Sequence, residues 1–177
     1  MTNFDLPIDR LGTNSIKWDT ILKTYNEKEL LPLWIADMDF KTPPAVLEAY
    51  QKLLNDGVLG YSDISDSLYQ KIIAWENRQH ELNLNKEEIL FFSGVLAGIT
   101  TAIQALTKPN DAILIHDPVY PPFATIITNN RRKLVRSRLI EKNHRFVIDF
   151  GDLEEKFNKQ QVKLMILCNP HNPGRRV

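Results

Sequence analysis

The sequence contains very little cysteine and no excess of charge of either sign. Cys168 is the only cysteine in 177 residues, which excludes an internal disulfide and favours a reducing compartment, the cytoplasm. Basic and acidic side chains number 22 each, so the formal net charge is zero and no nucleic-acid or membrane partner is expected. The first residues carry acids and prolines without an apolar segment, so we expect no signal peptide.

Motifs of several common enzyme classes are also missing. The sequence has no GxGxxG for a dinucleotide, no GxxxxGK[ST] for a nucleoside triphosphate and no GxSxG nucleophile turn. Its four histidines are scattered without metal-ligand spacing, so we expect no metal site. Residues 89–107 are uncharged and about as long as a membrane span, but Ser93-Gly94 interrupts them. A buried strand, a turn and a buried helix explain this stretch better.

Hydrophobic periodicity predicts an α/β protein. The first forty residues look irregular, and helices are expected at residues 42–55, capped by Thr42, and around residues 68–75. Further helices are expected after Gly94, near residues 121–129 and at 151–160. They alternate with strand-like runs at residues 88–92, 112–116, 133–137, 145–149 and 163–168. Such alternation favours a mainly parallel sheet.

Residues suited to ligand binding follow three of the predicted strands. Ligands of parallel sheets bind at the carboxyl ends of the strands. The first run leads into Ser93-Gly94-Val95, where the N–H groups of a helix start can bind phosphate. The second leads to Tyr120 on a proline-rich loop, and the last leads to Asn172. Each feature alone is ordinary turn or core chemistry, but together they predict a phosphate cradle, an aromatic plate and an amide.

Other polar features have structural explanations. Asp37 and Asp39 could share one face of an extended segment, where a capping or turn role is expected rather than paired acid–base catalysis. Cys168 has no evident partner base and is expected to be a small buried hydrophobe. The basic cluster at residues 131–138 is expected to be a strand with a solvated polar face.

Six stretches together resemble the pyridoxal-phosphate enzymes of the class I/II aminotransferase superfamily. They are FDLPIDRLGTNSIKWD, LLPLWIADMDF, GVLGYSD, SGVLAGI, DPVYPPF and LCNPHNPGRRV. Within it the sequence is most similar to the branch of cystathionine β-lyases that includes the maltose-regulon modulator. The resemblance implies an N-terminal arm and small-domain segment at residues 1–45. An incomplete fold-type-I large domain with a mainly parallel sheet and bound pyridoxal 5′-phosphate would follow at 46–177.

The resemblance also implies site residues. The cofactor-binding set would be Tyr61, Gly94, Val95, Leu96, Tyr120 and Asn172. The substrate would be bordered by Trp34, Ile35 and Ala36. Backbone N–H groups after the glycine would bind the phosphate, the second tyrosine would stack on the pyridine ring, and the asparagine would hydrogen-bond its 3′ oxygen. Tyr61 would reach the phosphate in the neighbouring subunit, which implies a homodimer. Arg175 departs from the family pattern, which usually has a small residue there.

The resemblance implies a carbon–sulfur β-lyase acting on an amino acid, either cystathionine or a cysteine S-conjugate. An aminotransferase of the same family shares every residue visible here, and a non-catalytic protein that binds a regulator is a second alternative. None of the 13 lysines lies in the Ser-x-x-Lys setting of the family's Schiff-base lysine. We therefore expect the first part of a longer enzyme, with no catalytic residue of its own and no activity in isolation.

Overall fold

The computed structural model describes residues 3–27 and 29–174. Contacts divide the chain into two compact units, Met1–Ile64 and Ser65–Val177, each of which has its own helices. The division expected between residues 45 and 46 concerns roles in the family and stays a prediction. Arg175 lies outside the described residues.

Two helices give the first unit its regular structure, α1 (Ile16–Tyr25) and α2 (Pro44–Asn55). Sequence periodicity missed α1, although Ser15 caps it by accepting a hydrogen bond from the Trp18 N–H. The prediction of α2 is confirmed, but Thr42 as its cap is wrong. Pro43 holds the cap position and no side chain caps this helix, because a proline start leaves fewer N–H groups to satisfy.

The second unit contains an α/β sheet. Its described elements are α3 (Asp66–His80), α4 (Val95–Leu106), β1 (Ala112–Asp117), α5 (Pro122–Asn129), β2 (Lys133–Lys142), β3 (Arg145–Ile148), α6 (Phe150–Gln160) and β4 (Val162–Ile166). The strand order is β3-β2-β1-β4; β1 pairs in parallel with β2 and β4, and β3 is antiparallel to β2. Strand–helix alternation and a mainly parallel sheet are thus confirmed, and β4 lies at one edge of the described sheet.

The strand predicted at residues 88–92 is wrong. Glu88 ends a 3₁₀ turn (Lys86–Glu88), which is fixed by a 2.7 Å hydrogen bond from the Asn85 N–H to the Glu88 carboxylate. The apolar residues that follow form no ladder, and Leu90 is 77% exposed. A strand needs a neighbour to pair its backbone, and none lies beside this segment in the described part of the chain.

No helix within the described ranges combines the length and apolarity needed to cross a membrane.

The core of the second unit lies on both faces of β1. On one face, Ile113 and Ile115 pack with residues of α4 and α5, among them Ile103, Phe123 and Ile127. On the other face, the core consists of Ala112, Leu114 and Val135, with Leu153 of α6 against it. Along β2, buried Val135, Ser137 and Leu139 alternate with exposed basic residues, which confirms the solvated strand expected for the basic cluster.

The Asp39 carboxylate connects three side chains of the first unit. The Asp39 carboxylate accepts hydrogen bonds from Arg10 Nη1 at 3.1 Å, Lys17 Nζ at 2.7 Å and Trp18 Nε1 at 2.9 Å. Arg10 also lies 2.7 Å from the Asp37 carboxylate. The capping or turn role expected for the two aspartates is therefore wrong, because both join ion pairs to residues much earlier in the chain.

These contacts change the proton affinity of Asp39. Its pKa falls to about 2, first because Lys17 donates to the ionised carboxylate, then because Trp18 does, while desolvation opposes the shift. A folded-state pKa below the unfolded value means that this carboxylate stabilises the fold above the unfolded pKa of 3.8. That stabilisation is lost as the pH falls from about 4 towards 2.

We predict that Asp39→Asn lowers the free energy of unfolding by about 1–2 kcal/mol at pH 7, because two cations lose their shared charged acceptor. Asp37→Asn is the matched control and should cost less, since the Asp37 side chain is 41% exposed. Urea unfolding of the three proteins at pH 7 and pH 2.5 measures both effects. The loss of unfolding free energy in Asp39→Asn should be smaller at pH 2.5 than at pH 7. An equal loss at both pH values would contradict the charged-acceptor role of Asp39.

Candidate phosphate and ring pocket

The start of α4 has free backbone N–H groups at the position where the sequence predicts a phosphate cradle. Gly94 caps the helix with φ +115°, a conformation that L side chains rarely adopt, and no side chain caps this end. The first hydrogen bond of the helix joins the Gly98 N–H to the Gly94 carbonyl at 3.2 Å. The N–H groups of Val95 and Leu96 consequently lack helical partners, and they sit at the positive end of the helix dipole. This helix start can bind an anion.

An aromatic side chain from another loop lies in the same pocket. Residues 93–97, Tyr120 and Phe123 line a cavity of about 530 Å³. The Tyr120 ring, part of a residue that is 37% exposed, packs edge-on against Phe123 with 5.6 Å between ring centroids. The structure therefore brings Gly94, Val95, Leu96 and Tyr120 together, although only Tyr120 follows a strand of the described chain. An anion site and an aromatic face in one cavity suit a ligand that has a phosphate and a flat ring.

The structure does not bring Asn172 into this pocket. Asn172 is exposed in the turn after β4, and its backbone N–H donates to Cys168 Sγ at 3.4 Å. The turn is linked to the Tyr120 loop through His171, whose Nε2 lies 3.0 Å from the Pro118 carbonyl oxygen. Sequence reasoning missed this histidine, since a contact between loops leaves no spacing to recognise.

Cys168 itself is only half-buried, which corrects the expectation that it is a buried hydrophobe.

The other predicted site residues belong to the first unit. Trp34 Nε1 donates to the Lys17 carbonyl at 3.3 Å, which places this segment beside α1. Ile35 is half-buried, whereas Ala36 and Tyr61 are exposed. Their exposure leaves them accessible to a ligand or a second chain.

Among the described residues, no group of three His, Cys, Asp or Glu side chains could hold a metal ion.

Two curated proteins resemble the chain over nearly all of its length. The chain is 40% identical to "Cystathionine beta-lyase PatB" of Bacillus subtilis over 98% of its own length and 45% of the relative's. It is 31% identical to "Protein MalY" of Escherichia coli over 100% of the chain and 46% of the relative. The chain thus spans less than half the length of these relatives.

Solved structures give the same result for the fold. The structure of cystalysin from Treponema denticola, described as containing a pyridoxal 5′-phosphate cofactor, matches with a TM-score of 0.90 and 34% identity. The match covers 98% of this chain and 44% of cystalysin. This likeness confirms the fold-type-I architecture, and the relatives confirm the expected cystathionine β-lyase branch. The family model "Aminotransferase class I and II" matches residues 28–174, so the chain belongs to the class I and II aminotransferase family.

Proposed function

We propose that this chain supplies the phosphate and ring contacts of a pyridoxal 5′-phosphate site in a carbon–sulfur β-lyase. The observation that carries the proposal is the cavity that joins the start of α4 to Tyr120. The similarity to a cystathionine β-lyase and to cystalysin with its cofactor supports it. Because the chain spans less than half of these relatives, the lyase activity on cystathionine or cysteine S-conjugates is proposed for the whole protein.

The phosphate would be held by backbone rather than by charged side chains. Within the described part of the chain, the residues that line the cavity include no Asp or Glu that would repel an anion and no Lys or Arg that would attract one. Val95 and Leu96 would donate their N–H groups to the phosphate oxygens, and the helix dipole would add a favourable field. Gly94 has no atom within 4 Å of a would-be Cβ, so its role is to hold the positive φ that aims these N–H groups.

The pyridine ring would lie against Tyr120. When bound, pyridoxal phosphate withdraws electrons from the α-carbon of an amino acid, which is the chemistry that a β-lyase uses. Tyr120 would fix the plane of the ring by stacking, while its own ring stays braced by Phe123. Asn172 would donate to the 3′ oxygen from a turn that His171 holds to the Pro118 loop. These residues bind and orient, and none of them is assigned a proton transfer.

The remaining assignments concern the whole protein. Trp34, Ile35 and Ala36 would border the amino-acid substrate, and Tyr61 would reach the phosphate site of a second subunit in a homodimer. Residues 1–45 would form the arm and small-domain segment, and residues 46–177 would form part of the cofactor-binding domain. We place the protein in the cytoplasm, which its single cysteine supports.

An aminotransferase is the second candidate, because the family description itself names that activity. Assays of the whole protein with cystathionine distinguish the two. Pyruvate release without a keto acid supports the lyase, and amino-group transfer that depends on an added keto acid supports the aminotransferase. If neither product forms, both enzymatic proposals fail, and the regulator-binding alternative would then be tested by co-purification with transcription factors.

We predict that Gly94→Ala weakens binding of 4′-deoxypyridoxine 5′-phosphate about ten-fold, the loss expected when a charge-assisted hydrogen bond is misaligned. This analogue lacks the aldehyde and cannot react with lysines, so its phosphorus NMR signal reports non-covalent binding. Gly57→Ala is the control, because Gly57 has a similarly positive φ of +72° in the other unit. Equal weakening in both variants would mean that backbone strain alone, and not the cradle, causes the effect.

We predict that Tyr120→Phe keeps the affinity for the same analogue within about two-fold and that Tyr120→Ala weakens it at least five-fold, since aromatic stacking contributes about 1 kcal/mol beyond buried area. Comparing the two variants separates the contribution of the Tyr120 ring to binding from that of its hydroxyl. Tyr25→Ala, an exposed tyrosine on α1, should leave the affinity unchanged. Identical affinities of the Phe and Ala variants would contradict a stacking role for Tyr120.

We predict that pyridoxal phosphate and borohydride label no lysine of this chain stoichiometrically. None of the 13 lysines lies in the Ser-x-x-Lys setting, so labelling should spread over exposed lysines at low occupancy. Lys17, which is buried against Asp39, should be among the least labelled. Peptide mapping measures the occupancy of each site, and one fully labelled lysine would disprove the expectation.

A further inference from the structure

A cavity of about 380 Å³ lies on the opposite face of the sheet from the Gly94–Tyr120 pocket. Successive side chains of a strand point to opposite faces. His116 therefore continues the series of Ala112 and Leu114 on the face that α6 covers, whereas α4 and α5 cover the other. The cavity walls include His116, Leu139, Phe146, Ile148, Cys168 and His171. It lies at the carboxyl end of β1, where α/β proteins bind ligands.

His116 brings unsatisfied polar atoms to this cavity. The residue is 2% exposed, and neither ring nitrogen has a hydrogen-bond partner among the described residues. Ser137, its neighbour in the β1–β2 register, has an unpartnered hydroxyl as well. Burial lowers the pKa of His116; the nearby Ser137 backbone opposes this, although it lies outside hydrogen-bond geometry, and His171 lowers the pKa further. Buried polar groups of folded proteins are normally paired, so a missing partner indicates a bound group.

Two close contacts position residues at the rim of the cavity. His171 Nε2 lies 3.0 Å from the Pro118 carbonyl oxygen, which fixes the ring. Gly174 packs so closely that a Cβ there would lie 2.8 Å from His171 Cδ2 and 3.1 Å from Phe146 Cδ2. At the rim, the His171 ring therefore contacts the Pro118 loop and lies close to Gly174.

The chemistry of the walls selects the kind of occupant. The described residues that line the cavity include no Asp, Glu, Lys or Arg, so among them an ion would find no counter-charge. Phe146 and Phe150 contribute aromatic surface, and the cavity volume falls in the range of small-molecule sites. A single water would fill only about 30 Å³ of it. A flat uncharged molecule with one polar hydrogen matches the apolar walls and can pair with the acceptor nitrogen of a neutral imidazole.

We propose that this cavity binds a small uncharged aromatic molecule whose N–H or O–H group pairs with the His116 ring and whose own ring packs against Phe146. The site depends on residues of β1, β2 and β3 and the turn after β4. It does not require the proposed lyase activity, and pyridoxal phosphate, which is highly charged, is not its ligand.

Indole and indene test this proposal on the 177-residue chain, because they share a shape and differ in one N–H group. Cys168 lines the cavity and is the only thiol, so its alkylation by iodoacetamide, followed by mass spectrometry, reports occupancy. We expect saturating indole to slow alkylation several-fold. Indene should need about five-fold higher concentration for the same protection, the difference that one neutral hydrogen bond makes.

His116→Leu should bring the half-protecting concentration of indole to that of indene. His144→Leu is the matched control, because the His144 side chain is almost fully exposed on the β2–β3 turn. Thermal melts show whether each variant folds; if His116→Leu does not, the two ligands on the unaltered chain decide the matter. Failure of indole to protect Cys168, or equal protection by indole and indene, overturns the proposal.

Discussion

The parallel ladder of β1 with β2 and β4 is the interaction on which the second unit depends. β1 has a hydrogen-bonded partner along both edges and a layer of helices on both faces, and Ile113, Leu114 and Ile115 are fully buried. A parallel strand in this position must be apolar on both sides, which explains its uninterrupted hydrophobic run. Its carboxyl end then directs His116 to one face and leads into the Tyr120 loop. Both candidate ligand sites are consequences of how this one strand is placed.

The sequence predicts features that depend on a local pattern. β1, β2 and β4 are recognised because their apolar or alternating runs are strand-like whatever their neighbours are. Gly94 and Tyr120 were expected to converge because parallel topology places strand ends at one edge. The cavity contains both residues, but no strand precedes Gly94 in the described residues, so this reasoning holds only for Tyr120. The strand predicted at residues 88–92 does not form, because a local pattern was not sufficient there. Its apolar residues have strand character, but a strand is not a local structure and pairing decides whether it forms.

Features that depend on distant partners could not be predicted. Asp39 looks like a turn residue until Arg10 and Lys17, on segments 29 and 22 residues earlier, are seen around its carboxylate. No spacing rule connects these positions. α1 is a different case, because Ser15 and the acidic Asp19 are recognisable signals of a helix start that hydrophobic periodicity alone did not reveal.

The two proposed sites would attract a ligand by different physical means, although the chain is neutral overall. Ion pairs such as Asp39 with Lys17 serve structure, and the described residues that line the two cavities include no Asp, Glu, Lys or Arg. In the Gly94–Tyr120 pocket, backbone N–H groups and the helix dipole would take the place of a cation and favour an anion. In the His116 cavity, the buried imidazole would disfavour ions and offer an acceptor nitrogen to a hydrogen-bond donor. His171 belongs to the rim of the second cavity and also holds the loop that leads to Tyr120, so this unpredicted histidine is the structural link between the two.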